Sequence, residues 1–270
     1  MRSPALAKCS PFLAPPNLLR AVRKSSYYPI VPFSNVYDDA ERAGAYATLE
    51  FPGTYYLAYR DLPVIVAQHV SGREALDFGC GAGRSTRFLK KLGFKSIGID
   101  ISRSMIDLAT KTDPDGDYRL MEDGDFSAFA PASFDLILSA FAFDNIPDVA
   151  KRSELLRGLR GLLRDDGRII LLGSTPDIYL HEWASFTTKD FPENRNAKSG
   201  QPVRIVMKDV TDARPVIDIV WSHGDYLKLF AASSLDLIAP YLPLGRDDEP
   251  FGWLSEKSIA PWIIYVLKPA

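Results

Sequence analysis

Between Ala75 and Leu89 the chain reads ALDFGCGAGRSTRFL, with Gly79, Gly81 and Gly83 set between a short apolar run and a basic, helix-forming run. A strand ending at Phe78, a glycine turn and a helix from about Arg84 place backbone without Cβ atoms beside a helix N-terminus. A ligand can then lie directly on the turn. Spacing separates the ligand classes that use such turns. A phosphate-binding loop needs G-x-x-x-x-G-K-[ST], and no Lys-Ser or Lys-Thr follows Gly83. A dinucleotide turn wants G-x-G-x-x-G, whereas the sixth position here is Arg84, which disfavours NAD.

The elements that must position this turn follow from the hydrophobic pattern. After Gly72, short apolar runs alternate with amphipathic ones, the sign of βα units and a parallel sheet. Strands are predicted at Ala75 to Phe78, Ser96 to Asp100, Tyr118 to Met121, Phe134 to Ala140 and Arg168 to Gly173, with helices beginning near Arg84, Ser102 and Asp148. Leu155, Leu156, Leu159, Leu162 and Leu163 recur at helical spacing and should lie on the sheet. Asp165-Asp166-Gly167 reads as a helix-to-strand turn in which Gly167 supplies a positive φ. Before the sheet, Asp38 to Leu49 and TYYLAYRDLPVIVAQHV read as two helices. Residues 174–223 carry Pro176, Pro192, Pro202 and Pro215 and two alternating runs, VRIVMK and VIDIVW, that suit an antiparallel hairpin. That stretch is an insertion over the end of the sheet. GDYLKLFAASS then reads as a helix, and LDLIAPYL and APWIIYVLKP as a closing antiparallel pair.

Composition bounds the rest. The 270 residues are 46% hydrophobic and 24% charged, the profile of a globular protein with one large domain. A net charge of -2 gives no general attraction to nucleic acid or anionic lipid. Cys9 and Cys80 are too few for a disulfide framework and show no metal-ligand spacing, so no metal is expected. No apolar run approaches the roughly 20 residues of a membrane span. Residues 1–36 hold Arg2, Lys8, Arg20, Arg23 and Lys24 without an acidic residue. They read as a basic arm broken by prolines or as a targeting segment, making the expected location cytoplasmic, or mitochondrial if the arm is a transit peptide. The folded domain then runs over 37–270, with 37–71 as a helical lid.

Several motifs in order resemble the class I S-adenosylmethionine-dependent methyltransferases over about Glu74 to Gly173. They are Asp77-Phe-Gly79-Cys-Gly81-Ala-Gly83, GIDIS ending a strand at Asp100, EDGDFSAF, FDLILSAFAFDNIPD and LLRDDGRIILLG. The resemblance implies a doubly wound, mostly parallel seven-stranded α/β sheet of the Rossmann-like methyltransferase type, with a helical lid and an insertion after the fifth strand. It also implies S-adenosyl-L-methionine as cofactor. Asp100 would hold the ribose hydroxyls, Ile101 and Met105 would flank the adenine, and Asp125 beside Phe126 would take its amine. The glycines, Asp77 and Ser139 would cradle the amino-acid end. Hydroxyls and an amine are donors, so carboxylates suit them. Asp77 bracing the turn and Asp125 capping the next segment are the competing readings.

The acceptor is less legible. Small-molecule members of the family carry an aromatic-histidine pair where this chain has Phe141-Ala142-Phe143-Asp144-Asn145, so a histidine base is missing there. Asp144, Tyr55 and His181 are the candidate catalytic groups; Tyr55, Tyr56, Tyr59, Phe143, Asn145 and Trp183 are candidate acceptor contacts. The expected activity is methylation of a small, partly apolar metabolite by a monomer or homo-oligomer, with RNA or protein methylation, or S-adenosylmethionine binding without chemistry, as alternatives.

Overall fold

A computed structural model describes residues 39–47, 49–50 and 52–270; the basic arm expected over residues 1–36 lies outside the described residues. Helices α1 (Ala40–Ala47), α2 (Gly53–Arg60) and α3 (Leu62–His69) come first. The stretch from Thr54 to Val70, expected as one helix, is two. Pro63 has no N–H to return to the Tyr59 carbonyl, which the Asp61 amide takes instead, and the proline settles in the first turn of α3, where no N–H is needed.

The alternation then proceeds as the pattern predicts: β1 (Glu74–Phe78), α4 (Arg84–Lys91), β2 (Lys95–Asp100), α5 (Arg103–Thr112), β3 (Asp117–Leu120), β4 (Phe134–Ala140), α6 (Val149–Leu162) and β5 (Leu163–Ser174). Side-chain caps fix two of the helix starts: Ser102 accepts the Met105 amide, and Asp148 accepts those of Ala150 and Lys151. Residues 165–167 differ from expectation. β5 begins at Leu163, which pairs with Phe134; pairing resumes between Arg168 and Leu136, and the residues between form an irregularity in the strand. Gly167 stays out of the left-handed region and matters for closeness instead, since a Cβ there would lie 3.0 Å from the Phe134 carbonyl oxygen.

In the insertion, β6 (Phe186–Thr187), β7 (Pro202–Met207) and β8 (Val216–Ile219) form a separate antiparallel sheet in which VRIVMK and VIDIVW pair, Val203 opposite Asp218. Helix α7 (His223–Ala232), capped by Ser222, leads to β9 (Leu235–Tyr241) and β10 (Trp262–Pro269). Among the described residues the main sheet has seven strands in the order β3-β2-β1-β4-β5-β10-β9, parallel through β5 and antiparallel at β10 and β9. The order reverses between β1 and β4, which opens a crevice at the carboxyl ends of these strands.

Strict two-residue alternation gives the sheet two buried faces. Leu136, Leu138, Ile170, Leu172, Ile264 and Val266 pack with α2, α3 and the inner side of the insertion. Leu76, Ile137, Ile169, Leu171, Ile263 and Tyr265 pack with Leu155, Leu156 and Leu159 of α6 and Leu229 and Phe230 of α7. Among the described residues no helix is long and apolar enough to cross a membrane.

Candidate active site

The turn between β1 and α4 is built for an exposed backbone. Gly79, Gly81 and Gly83 all have positive φ (71°, 53° and 81°). The amides of Gly79 and Cys80 both donate to the Ile99 carbonyl. A Cβ on Gly79 would come 2.5 Å from the Ala142 Cβ, so the first glycine is required by conformation and by space. Asp100, at the end of β2, grips the turn from the side: its Oδ2 accepts the Gly81 amide at 2.9 Å and its Oδ1 the Ser102 amide at 2.8 Å. Asp77 lies beneath, fully buried, its Oδ2 accepting the Ser85 and Thr86 hydroxyls at 2.6 Å each. Its Oδ1 has no partner among the described residues. Burial pushes the carboxyl up to about 6, against the pull of the two hydroxyls.

Above the turn opens a cavity of about 430 Å³. Of the residues singled out from sequence, Gly79, Gly81, Asp100, Ile101, Met105 and Asn145 line it. Asp77, Gly83 and Ser139 are not in its wall; Gly83 caps α4 against the Tyr118 ring, and Ser139 is buried with its hydroxyl unpartnered among the described residues. Asp125 is exposed and accepts the Ser127 amide, and Phe126 packs on Phe78 at 6.2 Å and against Gly158. From that loop it is Glu122, Asp123 and Gly124 that reach the cavity. Their position just past the carboxyl end of β3, the same edge of the sheet at which Asp100 ends β2, is the sequence signal that points to them. Lys151 of α6 closes this end, its Nζ donating to the Asp123 carbonyl at 3.1 Å.

Tyr46, Phe141 and Asn145 also belong to a second, inner chamber of about 50 Å³. Phe141 is a non-glycine residue at φ 64°, a strained conformation that turns the chain sharply at the end of β4. Its ring sits 4.7 Å from that of Trp262 and 6.0 Å from that of Tyr55, and Phe186 completes the aromatic wall. Asp144 and Asp218 also line the chamber. Buried Asp144 accepts the Ser174 amide at 2.9 Å and the Tyr226 hydroxyl at 3.3 Å; burial raises it to about 6, opposed by those bonds and the Arg152 charge. Asp218, half-buried on β8, accepts the Tyr179 hydroxyl at 3.1 Å and is pushed up to about 7 by desolvation and then by Asp144.

The other acceptor-side candidates are elsewhere. Among Tyr55, Tyr56 and Tyr59, Tyr55 lines the chamber, Tyr56 packs on Phe251, and Tyr59 is buried against Phe88. The Arg84 guanidinium lies over the rings of Tyr46, Tyr55 and Tyr59 at 5.1–5.6 Å, a cation–π cluster that joins α1 and α2 to the turn. Phe143 and Trp183 are core residues, Trp183 donating its indole N–H to the Ile178 carbonyl. His181 lines neither cavity; its ring meets the edge of Trp183 at 6.1 Å. Tyr46, Phe141, Asp218 and Trp262, which sequence reading does not single out, come into the site from α1, the bend after β4, β8 and β10.

The outer cavity suits S-adenosylmethionine by its own features: bare backbone at Gly79 and Gly81, carboxylates for donor groups, and apolar Ile101, Met105 and Leu155. A family model described as a methyltransferase domain matches residues 76–171, the stretch that builds this cavity's floor. The chain is 27% identical over 210 residues to N-demethylindolmycin N-methyltransferase of Streptomyces griseus, covering 76% of this chain and 87% of that protein. With the 18S rRNA (guanine-N(7))-methyltransferase of Mus musculus it shares 38% over 80 residues, 30% of this chain and 28% of that protein. The CcbJ methyltransferase of Streptomyces caelestis has the same fold, with TM-score 0.58 at 15% identity over 84% of this chain and 96% of that one. With its glycine turn, its sheet order and the matched stretch between β1 and β5 in agreement, residues 76–171 form a methyltransferase domain, and the chain has the fold of the class I S-adenosylmethionine-dependent methyltransferases.

Proposed function

We propose that this methyltransferase acts on a small, partly apolar metabolite whose reacting end enters the inner chamber while the S-adenosyl part of the cofactor occupies the outer cavity. The observation that carries this reading is the shared wall: Tyr46, Phe141 and Asn145 line both spaces, so an acceptor in one can meet a methyl group presented from the other. In-line positioning and exclusion of water do most of what such a transfer needs. In this reading Asp100 holds the ribose hydroxyls, and Ile101 and Met105 flank the adenine. Glu122 or Asp123 receives its amine in place of Asp125, and Asp77 and Ser139 support the amino-acid end. Tyr55 and Asn145 contact the acceptor, and Asp144 is the candidate base. His181 has no role in it. Helix α1 and the insertion act as the cover.

The relatives support a small acceptor on the side of length. The N-demethylindolmycin N-methyltransferase aligns along most of both chains, whereas the likeness to the rRNA enzyme is confined to 28% of that protein. Glu122 and Asp123 at the outer cavity also oppose a phosphate backbone. Calorimetric titration with S-adenosylmethionine and S-adenosylhomocysteine, with NAD as control, tests the cofactor. Labelled-methyl transfer to small-molecule extracts, RNA and protein fractions tests the acceptor. Micromolar binding of the first two and label in the small-molecule fraction are expected; label only in RNA or protein would overturn the acceptor class.

A further inference from the structure

We propose that the inner chamber takes the acceptor as a protonated amine, which Asp144 and Asp218 hold and then deprotonate. The proposal deepens the reading above and rests on it. Among the described residues the charged groups that line the chamber are both acidic, one from the 142–145 turn and one from the insertion, and no lysine, arginine or histidine lines it. Arg152, whose charge reaches Asp144, is stacked on Trp221 at 4.1 Å and Tyr226 at 4.6 Å and stays out of the wall. The Oδ1 of Asp218 has no hydrogen-bond partner among the described residues, its Oδ2 being held by Tyr179.

The rest of the wall suits the same ligand. The rings of Tyr55 and Trp262 stack at 5.7 Å and those of Phe141 and Trp262 meet at 4.7 Å, so the two carboxyls share the chamber with an apolar aromatic wall that suits the carbon frame of the acceptor. A neutral hydroxyl acceptor would bring no charge to offset two desolvated carboxyls. At about 50 Å³ the chamber holds a few non-hydrogen atoms, several times the roughly 10–15 Å³ that one water needs. The head of an amine fits, and the remainder of the acceptor lies toward Tyr46.

The proton balance closes within the site. The ammonium nitrogen gives one proton to a carboxylate oxygen, and its freed lone pair forms the new nitrogen–carbon bond as the carbon–sulfur bond breaks, the sulfur keeping the pair. The carboxylic acid returns its proton to solvent after product leaves. The groups facing Asp144 are Tyr226 and Arg152, with Tyr265, Tyr179 and Asp218 within electrostatic reach; those facing Asp218 are Tyr179 and Asp144. Because burial raises Asp144 to about 6 and Asp218 to about 7, both ionise as the pH rises through that range, while an alkylamine stays protonated up to about 10.

The test compares phenethylamine with 2-phenylethanol, two ligands of one shape and different charge, by calorimetry on the full chain saturated with S-adenosylhomocysteine. At pH 8 the amine is expected to bind about tenfold more tightly, with the preference shrinking below pH 6. Asp218→Asn is expected to remove that preference and leave binding of S-adenosylhomocysteine and the alcohol unchanged. The comparison and its pH dependence on the parent protein stand even if the variant does not fold. No preference for the amine, whether both ligands bind or neither does, overturns the proposal. Failure of S-adenosylhomocysteine itself to bind strikes instead at the cofactor site, and the proposal falls with it.

Discussion

Asp77 shows how a single carboxyl beneath a ligand-binding turn couples the site to pH. Its ordinary value is 3.8, and burial raises it to about 6 in the fold, so the folded chain prefers the protonated form. That preference adds stability below pH 4, and the addition is lost as the pH rises through 6, leaving a buried charge that costs up to about 3 kcal/mol at neutrality. Asp77→Asn carries no charge over this range and keeps an oxygen near Ser85 and Thr86. Relative to the parent, its unfolding free energy is therefore expected to rise by about 2–3 kcal/mol between pH 4 and pH 7. Urea unfolding at the two pH values measures the change. A difference that stays flat would mean that Asp77 ionises as easily in the fold as in the unfolded chain.

At the level of elements, α1 packs Ala43 and Ala47 against Met105 and Leu108 of α5, and a set of polar contacts distant in sequence latches it to the insertion. The Arg42 guanidinium donates from Nε to Asp212 at 3.2 Å and from Nη2 to the Pro215 carbonyl at 3.3 Å, and Arg214 joins Asp212 to Asp39 at the start of α1. Since Tyr46 of α1 walls both cavities, loosening this latch should open the site without unfolding the sheet. Asp212→Ala is expected to weaken S-adenosylhomocysteine binding about fivefold, with a melting temperature within about 2 °C of the parent. Unchanged affinity would show that α1 closes nothing. The latch also marks the limit of what sequence discloses. Strands, helix caps and the glycine turn are legible because each depends on neighbours a few residues away, as Ser102 and Asp148 show. Asp218 is legible as a strand residue in VIDIVW, but the face it presents depends on how the insertion docks on the sheet. Asp125 and Glu122 stand three residues apart in one acidic loop, and only the path of the backbone after β3 decides which reaches the cavity.

The whole molecule meets at a buried glutamate that no local pattern announces. Glu256, between β9 and β10, accepts the Thr54 hydroxyl and the Ala184 amide on Oε1 at 2.7 Å each, and the Leu254 amide on Oε2 at 2.8 Å. Thr54 lies in the first turn of α2, Ala184 belongs to the insertion, and the Trp262 indole of β10 donates to the Thr54 carbonyl at 2.7 Å. Three segments far apart in sequence thus close on one carboxylate, and they also carry Tyr55, Phe186 and Trp262 into the inner chamber. The chamber's shape is therefore a property of the assembled chain. Truncation at Glu256, itself fully buried, strands the buried Thr54 hydroxyl and the partly buried Ala184 and Leu254 amides, and each unsatisfied buried donor costs about 1–3 kcal/mol. Glu256→Ala is expected to lose about 3–5 kcal/mol of stability in urea unfolding, and phenethylamine binding with it. Glu256→Gln keeps one oxygen for Thr54 and Ala184 and should fall between the alanine variant and the parent. An alanine variant within about 1 kcal/mol of the parent would mean that water replaces the carboxylate, and that the three segments are held by their apolar packing alone.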